Sequence, residues 1–72
     1  MKLNQVEKLL IRGLLFFPLN EQEREAIFLT LNTNEERWAL ITFMQENRTA
    51  TAQDIKNAVG AIIESTGKKL TE

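Results

Sequence analysis

The chain contains no cysteine, no histidine and no tyrosine, and these absences exclude several kinds of functional site. Without cysteine, neither a disulfide bond nor a thiolate metal centre can form. Without histidine, the chain lacks the commonest general base and a common ligand of transition metals. The only serine, Ser65, and the only aspartate, Asp54, therefore have no histidine to complete a catalytic triad. We predict no catalytic residue, no metal site, no cofactor and no small-molecule substrate, and hence a protein that is not an enzyme.

Glycine, proline and long apolar runs are also scarce. The three glycines, Gly13, Gly60 and Gly67, are too far apart to form a phosphate-binding loop. The most apolar segment, residues 9–19, contains Arg12 and is shorter than the roughly 20 residues of a membrane-spanning helix. No small-residue cleavage site follows it, as one would in a signal peptide. We therefore predict no membrane span and no targeting segment, and we expect the protein to be cytoplasmic.

The charge and the length restrict the class of protein further. The net charge is −1 with 26% charged residues, and the only adjacent pair of basic residues is Lys68 and Lys69. Because nucleic-acid-binding proteins usually carry a basic excess or a basic stripe, this balance does not favour nucleic acid as a partner. The 72 residues suffice for one domain with one core, and a hydrophobic content of 43% indicates a folded chain.

Four segments of the chain begin with the signature of a helix N-terminus. In each, an asparagine or threonine is followed three residues later by a carboxylate, in the pairs Asn4 and Glu7, Asn20 and Glu23, Thr33 and Glu36, and Thr51 and Asp54. The first side chain accepts from free backbone N–H groups, and the second returns a hydrogen bond and complements the helix dipole. An apolar stretch with helical spacing follows each pair, so we predict four helices.

The predicted fold class is all-α, a compact four-helix domain with helices at about 5–16, 21–31, 34–47 and 52–66. Pro18 ends the first helix, and Gly67 is expected to end the last. Within helix 1, Gly13 indicates the close approach of a neighbouring helix. The third helix is apolar over most of its circumference, which favours an irregular array over a regular up-down bundle. We expect its tryptophan, Trp38, to lie in the core, and the alternative is an exposed tryptophan that acts as a binding anchor.

Helix 1 carries more apolar surface than a terminal helix normally hides. Val6, Leu10, Leu14 and Phe17 form one stripe on a helical wheel, and further apolar residues at 9, 11, 15 and 16 flank it. In one interpretation the surplus is an exposed patch through which the chain forms a homodimer or docks a protein partner. In the other, helix 1 is simply central in an irregular array. The four residues of the stripe are the candidate interaction surface.

One segment resembles a known class of domain. Residues 37–60, RWALITFMQENRTATAQDIKNAVG, are similar to the first two helices of a winged-helix or helix-turn-helix DNA-binding domain. The resemblance implies that a recognition helix follows Gly60 and enters the major groove. However, no capping residue follows Gly60, and Ile62 and Ile63 stay in phase with Ile55 and Val59, as in one continuous helix. The expected function is thus a helical protein–protein interaction module, and the alternative is a small DNA-binding regulator with a degenerate helix-turn-helix at residues 37–70.

Overall fold

The structure is a computed structural model that describes residues 2–71, with side chains described as far as Ser65. This part of the chain forms four helices: α1 (Gln5–Leu14), α2 (Glu21–Thr30), α3 (Asn34–Glu46) and α4 (Ala52–Thr71). The predicted all-α class and compact four-helix architecture are confirmed. Each helix begins at the predicted residue, and the differences lie at the helix ends.

All four predicted capping pairs form reciprocal hydrogen bonds. In each pair the cap side chain accepts from the backbone N–H of the acidic residue, and the carboxylate accepts from the backbone N–H of the cap residue. The eight distances lie between 2.7 and 3.1 Å for Asn4 with Glu7, Asn20 with Glu23, Thr33 with Glu36, and Thr51 with Asp54. These local contacts determine where each helix begins.

The first helix ends at Leu14, two residues before the predicted end. The backbone N–H groups of residues 15, 16 and 17 each donate to the carbonyl three residues earlier, at 3.1–3.3 Å, so the chain tightens beyond the α-helix. Pro18 disfavours the helical conformation at Phe17 and cannot itself donate a hydrogen bond. The backbone N–H of Leu19 then donates to the carbonyl of Phe17 at 2.7 Å, which completes the turn into α2.

The last helix runs without interruption through Gly60, as its apolar phase predicts. It also continues to Thr71, so the expectation that Gly67 ends it is wrong. Glycine permits a helix to end but does not require it, because its cost inside a helix is only about 1 kcal/mol relative to alanine. The continuous helix contains no turn after Gly60, and therefore no separate recognition helix forms within residues 52–71.

The helices pack in the spatial order α2, α1, α3, α4, and α1 and α3 form the most extensive contact. The side-chain amide of Asn4 donates to Asn34 at 3.2 Å, and Glu7 forms an ion pair with Arg37 at 3.6 Å. Because residues three apart on α1 meet residues three apart on α3, the two helices run parallel. The helices α2 and α3, although adjacent in sequence, are thus not principal neighbours.

The core lies where all four helices converge. Its buried apolar residues are Leu10, Leu14, Phe17, Leu19, Ile27, Leu31, Leu40, Ile41, Met44, Ala50, Ile55 and Val59. One ion pair links the second and fourth helices, with Lys56 Nζ 2.6 Å from a carboxylate oxygen of Glu23.

Candidate functional site

The predicted interaction stripe of α1 lies inside the protein. Leu10, Leu14 and Phe17 belong to the buried core, and Val6 is half-buried and packs against it. The reason is that α2 and α3 both pack on α1 and cover the stripe between them. The burial of these four residues thus agrees with the second interpretation, in which helix 1 is central in the array. They are not the exposed apolar surface of α1, and any docking through this helix must use others.

Among the residues with described side chains, five large apolar ones are exposed, and three of these meet in one place. Leu9, Phe16 and Trp38 retain 37%, 85% and 46% of their accessible surface. All three line a groove of about 330 Å³ between α1 and α3. Leu15 and Leu29, the other two, do not line it. An exposed apolar cluster of this kind usually marks an interaction site.

Gly13 lies in this groove and allows the two helices to approach closely. A Cβ atom at this position would lie 2.8 Å from Cε of Met44, which is too close without a shift of the methionine. The predicted close approach at Gly13 is therefore confirmed. Gly13 lies four residues after Leu9 on α1 and three residues before Phe16, which is in the turn after this helix, so the absent side chain leaves space between two exposed apolar groups.

The groove is formed by one face of each helix and by the turns that follow the two helices. Leu9 and Gly13 lie on α1, whereas Phe16 and Phe17 follow the end of this helix. On the other side Trp38, Ile41, Met44 and Gln45 lie on α3, and Arg48 follows the end of that helix. Positions 38, 41 and 45 share one helix face because they are spaced by three and four residues. The lining is apolar except for Gln45 and Arg48, which lie toward the C-terminal end of α3.

Trp38 is not in the core, contrary to the prediction from its sequence position. It follows Arg37, whose guanidinium reaches Glu7 on α1 and Asn34 on its own helix. Successive residues of a helix are rotated by about 100°, so the side chain after Arg37 is carried from the α1 contact toward the outer side of α3. The sequence signal that would have found this face is the helical spacing of residues 38, 41 and 45.

Two carboxylates, Glu36 and Glu23, form contacts that stabilise the fold. Buried Glu36 accepts hydrogen bonds from the backbone N–H groups of Asn32 and Thr33 at 2.8 and 3.1 Å. The hydrogen bond from Lys56, followed by that from the backbone of Asn20, lowers the pKa of Glu23 below its usual value. No cluster of three or more potential metal-ligating side chains occurs within the described part of the chain. The chemistry that the groove offers is apolar contact with a polar end.

Comparison with known proteins identifies no relative of this chain. No protein-family model matches the chain, and no similar curated protein or solved structure was found. Of the helices described, none combines the length and apolar character needed to cross a bilayer.

Proposed function

We propose that this protein is a small helical protein-interaction module without catalytic activity, and that it docks its partner in the groove between α1 and α3. The observation that carries the proposal is the convergence of Leu9, Phe16 and Trp38 on one groove. Aromatic side chains surrounded by a polar rim are typical of the residues that dominate binding at protein interfaces. The surface thus has the composition of a docking site.

Phe16 is the principal anchor in this proposal because it is the most exposed of the large apolar residues that line the groove. Burial of a phenylalanine side chain contributes about 2 kcal/mol. That free energy corresponds to roughly a 30-fold change in Kd. The groove also fits the general mode in which an apolar helix face lies between two helices of its partner.

The DNA-binding alternative rests on the resemblance of residues 37–60 to a helix-turn-helix domain, in which a separate recognition helix follows the glycine. It depended on a turn after Gly60, and α4 is continuous there. The net charge of −1 does not favour phosphate contacts. We therefore retain the protein-interaction proposal alone.

Site-specific photo-crosslinking in the cells that express the protein tests this proposal. A photo-reactive phenylalanine analogue at Phe16 is expected to give a covalent protein adduct, whereas the same analogue at Gln53, an exposed position on α4, is expected to give none. The adduct should disappear in the Trp38→Ser background, because that change removes the opposite wall of the groove. Equal labelling at both positions, or no adduct at Phe16, would refute docking at this site.

A further inference from the structure

Exposed charged side chains flank the groove, basic beside α1 and acidic beside α3, and the basic Arg48 lies at the C-terminal end of the α3 side. On α1, Lys8 and Arg12 lie beyond Leu9, with which they line a second shallow hollow. On α3, Glu35 lies one turn before Trp38, and Glu46 lies two turns after it. Lys8, Arg12, Glu35 and Glu46 are all exposed, and none forms an ion pair within residues 2–65. The opposite charges are thus free to meet a complementary surface.

We infer that the groove binds a second copy of this chain, in a two-fold symmetric dimer whose axis runs along the groove. The inference rests on the proposed function and identifies the docking partner as a second copy of the chain. A two-fold axis in this direction places α1 of each copy against α3 of the other, so that each basic flank meets an acidic flank. An axis across the groove would instead place α1 against α1 and bring Lys8 and Arg12 close to their own copies. Like charges in contact oppose association, so the charge pattern selects the first arrangement.

The register of the two helices identifies the residues that pair. Asn4 lies beside Asn34 and Glu7 beside Arg37, so residues on α1 lie level with those about 30 positions later on α3. Rotation about an axis parallel to the groove preserves this level in the second copy.

Arg12 then lies level with residue 42 of the second copy, one helical turn from its Glu46. Lys8 lies level with residue 38, about 5 Å along the helix from Glu35. Long basic side chains span such offsets easily. The symmetry creates each ion pair twice. Leu9 meets Trp38 at the same level, which places apolar contact between the charged pairs.

The size of this face indicates a reversible dimer. The two helices have 10 and 13 residues. Their lengths are therefore about 15 and 20 Å, and two packed helices are together about 20 Å wide. A face of these dimensions is smaller than the roughly 800 Å² per partner of a standard stable interface. We expect the dissociation constant to lie between about 10 µM and 1 mM, in the range of small transient interfaces.

Sedimentation equilibrium of the full chain tests the inference, at low salt and from about 10 µM to 2 mM, a range that brackets this expectation. The wild-type protein is expected to pass from monomer to dimer. Arg12→Glu and Glu46→Arg should each weaken the dimer by at least about fivefold, because each converts two attractions into two repulsions. The double variant, with both changes, should restore the wild-type constant to within about threefold. Glu25→Arg, which reverses an exposed charge on α2 away from the groove, should leave it unchanged.

The outcomes separate this inference from the proposed function. If the protein is a monomer at every concentration, a second copy does not bind in the groove. An adduct between Phe16 and a different protein in the crosslinking experiment would then still support docking at the groove. A dimer in which the double variant shows no recovery overturns the inferred arrangement. If the Phe16→Ser variant still forms the dimer, the dimer interface does not use this face. Helical circular dichroism of each variant shows that the monomer remains folded.

Discussion

The substitution Gly60→Ala is expected to stabilise the protein. Gly60 lies inside α4, at the ninth of its 20 residues, and a Cβ atom there would meet no heavy atom within 4 Å beyond its chain neighbours and the backbone of its own helical turns. The change therefore adds a methyl group without a clash and removes the entropic cost of glycine in a helix. That cost is about 0.8–1.0 kcal/mol. For a domain of 60–100 residues, 1 kcal/mol raises the melting temperature by roughly 4–8 °C.

Thermal unfolding followed by circular dichroism measures this effect at low protein concentration, where association does not contribute. Gly13→Ala is the matched control, because its helix propensity gain is the same but its Cβ would lie 2.8 Å from Met44 Cε. We expect a smaller rise, or a fall, for Gly13→Ala, since Met44 must move. An unchanged or lower melting temperature for Gly60→Ala would refute the continuous helix, because alanine is unfavourable only where the backbone turns or a neighbour is close.

Three further substitutions test the core, a cap and an ion pair. Ile55→Val removes a methylene from a fully buried side chain and should lower the free energy of unfolding by about 0.5–1.5 kcal/mol in urea titrations. Thr33→Ala removes the α3 cap and should cost about 1 kcal/mol, whereas Thr30→Ala, at an exposed helix end, should change the same titration by less than about 0.5 kcal/mol. Because Lys56 lowers the pKa of Glu23 in the folded state, the carboxylate stabilises the fold above about pH 4.3 and loses this effect as the pH falls through the folded pKa. Glu23→Gln should therefore make the stability fall less steeply on acidification, and an unchanged slope would contradict the ion pair.

The helix starts could be predicted from the sequence because their causes are local. Each cap and its carboxylate are three residues apart, and their hydrogen bonds form within one helical turn, independent of how the helices pack. The continuity of α4 was also predictable, since the phase of its isoleucines is a property of the segment itself. The helix ends were predicted less accurately. Neither Gly67 nor the apolar run before Pro18 determines the last helical residue by itself.

The candidate site could not be predicted because it depends on which helices are neighbours. A helical wheel shows two apolar faces on α1, and the sequence does not state which one its neighbours cover. Leu10 and Leu14 became core residues once α2 and α3 packed on them, and Leu9 remained at the surface. Trp38 illustrates the same limit, since its exposure follows from the orientation of Arg37 toward α1.

Phe16 and Phe17 provide the sharpest separation of fold from docking, because they are adjacent and chemically identical. Phe17 retains 9% of its accessible surface and belongs to the core, whereas Phe16 retains 85%. A small domain of 72 residues has a total stability of only about 4–11 kcal/mol. Truncation of a buried phenylalanine costs about 3–5 kcal/mol, so Phe17→Ser is expected to remove a large part of this stability. Phe16→Ser should change the free energy of unfolding by less than about 0.5 kcal/mol, because its side chain contributes little to the folded monomer. The same substitution should weaken self-association roughly 1,000-fold, because the symmetric dimer buries Phe16 twice, at about 2 kcal/mol for each copy. Denaturant titration at low concentration and sedimentation at high concentration measure the two effects separately. Destabilisation by Phe16→Ser equal to that by Phe17→Ser would show that Phe16 belongs to the fold, and the groove would lose its anchor.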